Sequence, residues 1–262
     1  RLILGREEDR YSSAAKTFDE WQTNGVLMRD PEPAVYALVQ TFTTTTGASI
    51  QRKGFIALCR LEEFERGIVL PHEKTLSKAK EDRFKLFKAT NSNFSQIFGL
   101  YSDPTKKVDA IITPFHSKPV TIDVRFENVR NQVWKISDPQ AIEKIAKEME
   151  PKQVLIADGH HRYETALAYR ELMKSKNQNH SGTELYNYVM MFFTNLDDEG
   201  LVIFPTHRVI HSLPKFDWKE FSTTIQKYFE LKNCSTQQEM MSDLGVHPRY
   251  SFGILAGGGS KY

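Results

Sequence analysis

The residues with the clearest chemical potential form one run, residues 158–162, which reads DGHHR. The four residues before it, 154–157, are wholly apolar, which is typical of a buried strand, and helical sequence follows. A helix that begins here presents unpaired backbone N–H groups and the positive end of its dipole beside the carboxyl end of a strand. Helix starts of this kind bind anions. The run therefore predicts a phosphate-binding turn.

Three basic side chains add donors to the predicted turn. Arg162 can hold two phosphate oxygens at once, and His160 and His161 contribute ring nitrogens. Positive charge at a helix start is unfavourable by roughly 0.3–1 kcal/mol per residue, and a bound phosphate would reverse this effect. Two alternatives remain open, a solvated surface turn and a metal site. Metal binding by both histidines is disfavoured because adjacent residues diverge on a helix and the zincin spacing His-Glu-x-x-His is absent.

A second reactive segment, residues 71–75 (PHEKT), combines a base, an acid, a cation and a hydroxyl in one short stretch. Its proline disfavours helix immediately before it, so the segment is predicted to be a loop. His72, Glu73 and Lys74 have the residue types of a catalytic or anion-binding site, and the predicted helix over residues 78–89 is rich in cations. This surface favours a polyanionic ligand, and a solvated charged helix is the alternative.

A third segment pairs His207 with Arg208 directly after a predicted strand, residues 201–204. A histidine–arginine pair in a loop is more often structural, so this segment matters only if it converges on Arg162. Two familiar motifs are absent, because residues 257–261 (GGGSK) lack Walker A spacing and no Gly-x-Ser-x-Gly elbow occurs.

Composition narrows the class of protein. The chain has 262 residues, 40% of them hydrophobic, and a net charge of +2. No apolar stretch approaches the roughly 18 residues of a membrane span, the first residues are too acidic for a signal peptide, and the balanced charge argues against a dedicated nucleic-acid binder. Cys59 and Cys234 can neither staple a secreted scaffold nor build a zinc site alone, so a cytoplasmic location is expected.

Residues 1–262 are expected to form one compact, two-lobed region, with any sub-boundary near residues 138–150. Both ends look cut, since Arg1 is not an initiator Met and Tyr262 stands where a returning hairpin strand would be expected. The region is therefore expected to lack both native termini.

Hydrophobic periodicity, caps and turn residues predict the elements that must position these segments. Helices are expected over residues 12–23, 78–89, 139–149 and 218–228, with another after the DGHHR run. Strands are expected over residues 34–42, 50–61, 120–126, 133–136, 154–157, 186–194, 201–204 and 250–255. Antiparallel hairpins beside packed helices indicate an α+β (mixed α/β) fold rather than a doubly wound parallel sheet.

Six motifs, in order along the chain, resemble those of a bacterial and archaeal family called domain of unknown function 1015. They are WQTNGVLMRDPEP (21–33), GIVLPHEKT (67–75), EDRFKLFKATN (81–91), WKISDP (134–139), IADGHHRYETAL (156–167) and FPTHRVI (204–210). Together they span most of the chain. One family feature is missing, a Pro-Pro-Tyr-Asp run that usually lies further upstream.

The DGHHR run is also similar to the phosphate-binding turn of the ParB/sulfiredoxin superfamily, in which free-serine kinases carry such a turn. This resemblance implies a ParB/sulfiredoxin-like turn within the fold. It also implies a small-molecule kinase that phosphorylates free L-serine to O-phosphoserine, with ATP, ADP or pyrophosphate as donor. The implied partners are small molecules, with no nucleic acid and no membrane.

Phosphoryl transfer requires positioning and charge neutralisation, which suggests roles for the basic residues. The donor phosphates are expected to be held by the N–H groups and side chains of Gly159, His160, His161 and Arg162. Charge on the transferred group is expected to be neutralised by Lys74 and Arg208, with His72 and His207.

Acidic residues complete the hypothesis. A carboxylate must accept the serine proton, and Glu73 and Asp158 are the candidates. Magnesium is expected to bridge the phosphates, with Asp158 as its protein ligand. With Arg162 and Lys74, these two acids form the predicted catalytic set.

Two other functions remain open. A ParB-like nucleotide-binding or DNA-associated protein would use a related turn, but it predicts a helix-turn-helix and a basic face that the sequence does not show. A phosphate-ester hydrolase, or a module that only binds, would use the same anion site.

Overall fold

The computed structural model describes residues 10–44, 47–75, 77–202, 208–213, 215–247 and 250–256. The chain divides into two compact units, Arg1–Ile203 and Phe204–Tyr262. Residues 138–150 lie inside the first unit, as do the predicted segments at residues 71–75 and 158–162. Within the described ranges, no helix is both long enough and apolar enough to cross a membrane.

The first unit is built on one mixed sheet of eight strands, in the order β3-β7-β4-β8-β2-β1-β6-β5. The strands are β1 (Val35–Thr43), β2 (Ser49–Arg60), β3 (Val69–Leu70), β4 (Ile97–Tyr101), β5 (Ile122–Phe126), β6 (Val129–Ile136), β7 (Val154–Asp158) and β8 (Tyr188–Asn195). Two neighbouring pairs, β3 with β7 and β4 with β8, are parallel, and the others are antiparallel. The predicted α+β class is therefore confirmed.

The described helices divide between the two units, with the first five in the first unit and the last two in the second. They are α1 (Arg10–Thr23), α2 (Ser77–Thr90), α3 (Lys107–Ile112), α4 (Pro139–Met149), α5 (His160–Lys176), α6 (Trp218–Ile225) and α7 (Gln237–Val246). Helix α5 packs against α2, which packs against α1, and α3 packs against α4. α5 also contacts β4 and β8, so this helix joins the sheet to the helical layer.

Local sequence explains the clearest of these elements. The Asp138 carboxylate accepts the Gln140 backbone N–H at 3.0 Å and caps α4, with Pro139 at its first position. Ala141 and Ile145, one turn apart, are the buried side chains of α4. The hairpin predicted from residues 34–61 also forms, as the antiparallel pair β1 and β2.

Two predicted strands are wrong within the described residues. Leu201 and Val202 are not in a strand, and the rest of the segment predicted over residues 201–204 lies outside the described residues. Residues 250–255, predicted as a strand, are irregular. Apolar composition favoured both strands, but a short strand needs a partner edge to supply its backbone hydrogen bonds.

The central strand β4 and the short strand β3 were not predicted from the sequence. β4 is a five-residue run interrupted by Gly99, and glycine normally weakens a strand. Here a side chain at Gly99 would lie 2.5 Å from the Met191 sulfur and 2.8 Å from a Val154 methyl, so close packing between strands requires the glycine. β3 has only two residues and depends on β7 for its pairing.

Candidate functional site

Strand pairing brings the two most reactive segments of the sequence together. β3 and β7 are parallel neighbours, with Val69 opposite Val154 and Leu70 opposite Leu155. The loop over residues 71–75 leaves the carboxyl end of β3, and the DGHHR turn leaves the carboxyl end of β7. Because parallel strands end at the same edge of a sheet, both segments lie side by side.

Helix α5 is anchored by its buried tyrosine. The Tyr163 hydroxyl accepts the Glu62 backbone N–H at 2.9 Å and donates to the Glu62 carbonyl at 2.8 Å. Its ring stacks on Phe64, with 5.3 Å between the ring centroids. These contacts fix the first turn of α5 against the segment that connects β2 to β3, and so fix the orientation of the residues beside Tyr163.

His160 joins the turn to the loop. Its side chain is buried, and its Nε2 accepts the His72 backbone N–H at 3.1 Å. The two imidazole rings meet edge to face, with 4.6 Å between centroids. The His72 Nε2 lies 3.3 Å from the Ala157 carbonyl oxygen, to which it donates when it carries the proton. The two histidines therefore hold the loop on the end of β7.

The same contacts set the protonation of His160. Burial, and then the neighbouring His72, lower the pKa of His160 below its usual value. Since Nε2 accepts a hydrogen bond, the proton of the neutral ring is on Nδ1, which faces the Glu73 carboxylate at 3.7 Å. That distance is too long for a hydrogen bond. In this structure His160 is a neutral positioning group rather than a cation directed at solvent.

Glu164, one turn after His160, forms a second connection between helix and loop. Its carboxylate accepts the Thr75 hydroxyl at 2.8 Å and pairs with the Lys80 ammonium at 2.7 Å. Burial raises the pKa of Glu164, but the hydrogen bonds from Lys80 and Thr75 outweigh burial and lower it overall. Glu164 was not singled out from the sequence. Its spacing could have indicated a role at the site, because Glu164 and His160 are four residues apart and such residues lie on one helix face.

Arg162 lies between the end of β7 and the start of β4. Its Nη2 donates to the Asp158 carboxylate at 2.5 Å, and its Nη1 donates to the Ser95 hydroxyl at 3.1 Å and to the Gln96 carbonyl. This position follows from the antiparallel pairing of β4 with β7, which sets Phe98 opposite Asp158. The guanidinium is thus held beside the turn, and its partner Asp158 is an exposed carboxylate.

The N-cap residue of α5 supplies no side-chain cap, and the start of α5 is uncapped in this sense. That residue is Gly159, with φ +100°, which has no side chain to accept an N–H of the first turn. The first turn also contains no acidic residue. The backbone conformation at Gly159 favours glycine, and a side chain there would lie 3.0 Å from the Arg162 guanidinium and displace it slightly.

The remaining predicted site residues are distributed as follows. Glu73 and Asp158 are exposed acids, with 61% and 74% of their side chains accessible, and Lys74 is exposed beside Glu73. His161 is half-buried. Arg208 is an exposed residue of the second unit and His207 lies outside the described residues, so their convergence on Arg162 stays a prediction.

The exposed acids of the site, Glu73 and Asp158, have the ligand chemistry of a magnesium–phosphate complex rather than that of a site built from protein ligands alone. Across the described part of the chain, no group of three or more His, Cys, Asp or Glu residues could hold a metal. Magnesium commonly uses one or two carboxylates and takes its other ligands from water and substrate phosphates. Asp158, exposed at the uncapped start of α5, fits that donor set.

Comparison with known proteins gives the family. A family model described as a protein of unknown function, DUF1015, matches residues 1–262, and the chain belongs to this family. No curated protein matches the chain, and no solved structure matches it. The family resemblance seen in the sequence motifs is therefore confirmed.

Proposed function

We propose that this DUF1015-family protein transfers a phosphoryl group from pyrophosphate or a nucleotide to the hydroxyl of free L-serine, giving O-phosphoserine. The observation that supports the proposal most is the packing of the loop at residues 71–75 on the uncapped start of α5. That packing collects backbone N–H donors, cations and exposed acids at one edge of the sheet.

The donor phosphates would bind at the helix start. The N–H groups of His160, His161 and Arg162 supply neutral donors, and the helix dipole favours negative charge there. Arg162 would exchange its bond to Asp158 for a two-point contact with phosphate oxygens. Lys74, exposed on the adjoining loop, would neutralise charge on the transferred group.

The transfer step is a substitution at phosphorus. The serine hydroxyl oxygen forms the new bond to phosphorus, and the bond from phosphorus to the bridging oxygen of the donor breaks. The hydroxyl proton passes to a carboxylate, for which Glu73 is the first candidate and Asp158 the second. Asp158 would also hold magnesium, which neutralises phosphate charge when bound.

His160 takes a different part from the one expected from the sequence. Because its ring is buried and neutral and its Nε2 accepts the His72 N–H, we assign it as a positioning residue for the loop. Gly159, His161 and Arg162 remain proposed phosphate contacts, and His160 contributes its backbone N–H but not its ring. Phosphoryl transfer depends on positioning to a large degree, so a group of this kind affects the rate without touching the substrate.

The experiment that tests the proposal is direct detection of the product. The full chain is incubated with L-serine, magnesium and each of pyrophosphate, ADP and ATP, and O-phosphoserine is measured by mass spectrometry. We expect product with at least one donor. Arg162→Ala should abolish it, whereas Arg125→Ala, the same substitution at an exposed site on the edge strand β5, should retain it.

Two results would overturn the proposal. One is the absence of O-phosphoserine with all three donors. The other is full activity in a folded Arg162→Ala variant. Release of inorganic phosphate without any phosphoserine would instead assign the site to phosphate-ester hydrolysis.

A further inference from the structure

A cavity lies near the carboxyl end of β4, away from the DGHHR turn. Its volume is about 170 Å³. Its polar lining comes from β2, from the segment that begins after β4 and from the segment that follows β8, and consists of Lys53, Lys106, Asp109, Thr113, His116 and Asp198. None of these residues belongs to the proposed phosphate site.

The charges around this cavity are balanced but not paired. Two lysines, Lys53 and Lys106, are exposed at the cavity, and two acids, Asp109 and Asp198, are half-buried. Within the described parts of the chain, none of these four side chains has an ion-pair partner within 4.0 Å. By contrast, Lys152 and Asp103 nearby form a close pair at 3.3 Å. Opposite charges are thus held around one space without contacting each other.

Polar atoms at the cavity also have unused bonding capacity. Among the described residues, the Lys53 and Lys106 ammonium groups lack carboxylate partners. The Asp109 carboxylate receives one long hydrogen bond, from the Asn195 amide at 3.4 Å. One oxygen of Asp198 accepts the Gly200 N–H at 2.7 Å. A ligand with both a donor and an acceptor group would complete this set.

We propose that the cavity binds a small α-amino acid in its zwitterionic form. The ammonium group would face Asp109 and Asp198, and the carboxylate would face Lys53 and Lys106. An anion alone would leave the acids unsatisfied, and a cation alone would be repelled by the lysines. This inference does not rest on the proposed kinase activity.

The size of the cavity agrees with such a ligand. A volume of about 170 Å³ is more than ten times the ~10–15 Å³ that a cavity needs to hold one water molecule. It lies below the range of roughly 300–1,000 Å³ that is typical of drug-sized pockets. The size therefore favours an amino acid with a short side chain.

Isothermal titration of the full chain with L-alanine tests the inference, with propionate and ethylamine as probes that carry one charge each. We expect L-alanine to bind in the millimolar range and each single-charge probe to bind at least about tenfold more weakly. Asp109→Asn and Lys53→Met should each weaken L-alanine binding by about tenfold. Arg162→Ala, at the other site, should leave it unchanged. Lys53 is exposed, so its variant keeps the test valid if Asp109→Asn fails to fold.

Three results would overturn the inference. They are no measurable heat with L-alanine, binding of propionate or ethylamine as tight as that of L-alanine, and binding that Arg162→Ala removes but Asp109→Asn and Lys53→Met do not. The last result would place the amino acid at the DGHHR turn. Absence of kinase activity would leave this inference intact, so the two proposals fail independently.

Discussion

The two ends of β4 hold charged residues in opposite ways. At its start, Arg162 pairs with Asp158, and the adjoining loop is connected through Glu164 to Lys80 and Thr75. Near its end, the charged residues that line the cavity have no ion-pair partners among the described residues. β4 thus separates the paired charges around Arg162 from the unpaired charges that line the cavity, while Asp103 and Lys152 beside the cavity pair with each other.

This difference indicates what each region can bind. A ligand at the start of β4 must compete with Asp158 for Arg162, which favours a polyanion with several acceptor oxygens, such as pyrophosphate. A ligand near the end of β4 meets both signs of charge and breaks no ion pair. We therefore expect the two proposed sites to select ligands by charge pattern rather than by total charge.

The largest expected effect compares one aspartate near each end of β4. Asp158, the last residue of β7, lies near its start, and Asp103 lies just after its end. Asp103 has 1% of its side chain exposed, accepts the Val108 N–H at 2.9 Å and pairs with Lys152. Asp103→Ala should lower the free energy of unfolding by about 3 kcal/mol, because the Val108 N–H and the half-buried Lys152 ammonium lose their carboxylate partner. Asp158→Ala, at an exposed site, should lower it by less than about 1 kcal/mol. Urea unfolding measures both, and equal losses would contradict the comparison.

A smaller effect is expected at the glycine of the DGHHR turn. Gly159→Ala should lower the free energy of unfolding by about 1–3 kcal/mol, because φ is +100° and the new methyl group meets Arg162 at 3.0 Å. Gly67→Ala is the matched control, since Gly67 has φ +66° but open space around it. The loss at Gly159 should exceed the loss at Gly67. Equal losses would mean that the Arg162 contact is unimportant.

The smallest expected effect is a pH dependence. Burial lowers the pKa of His160, so the folded protein favours the neutral ring. The resulting stability is present above the ordinary histidine pKa of about 6.5 and is lost as the pH falls below that value. Melting temperatures between about pH 7.5 and about pH 5.5 should fall more in the wild type than in His160→Gln, whose amide oxygen can still accept the His72 N–H. Parallel profiles would rule out this role for His160.

The sequence predicted those elements whose start or end is marked by their own residues. Asp138 and Pro139 mark the start of α4, and the glycine of the DGHHR run marks the start of α5. The contact between His72 and His160 was not predictable, because it joins residues 88 positions apart through the two-residue strand β3. The cavity near the end of β4 was equally hidden, since its lining comes from three separate segments.

The inward direction of His160 has a similar explanation. Adjacent residues on a helix diverge by about 100°, so His160 and His161 cannot face the same surroundings. Burial of Tyr163 and Ala166 fixes the rotation of α5 and turns His160 inward as well. Periodicity alone could indicate the buried arc, but it could not show which loop covers it.

The central claim is that the uncapped start of α5 binds phosphate, and amide NMR tests it most directly. Pyrophosphate is titrated into the ¹⁵N-labelled full chain while the backbone N–H signals are followed. We expect saturable shifts that are largest at His160, His161 and Arg162 and that disappear in Arg162→Ala. Shifts confined to other parts of the chain, or no saturable shift at these three amides, would contradict the claim.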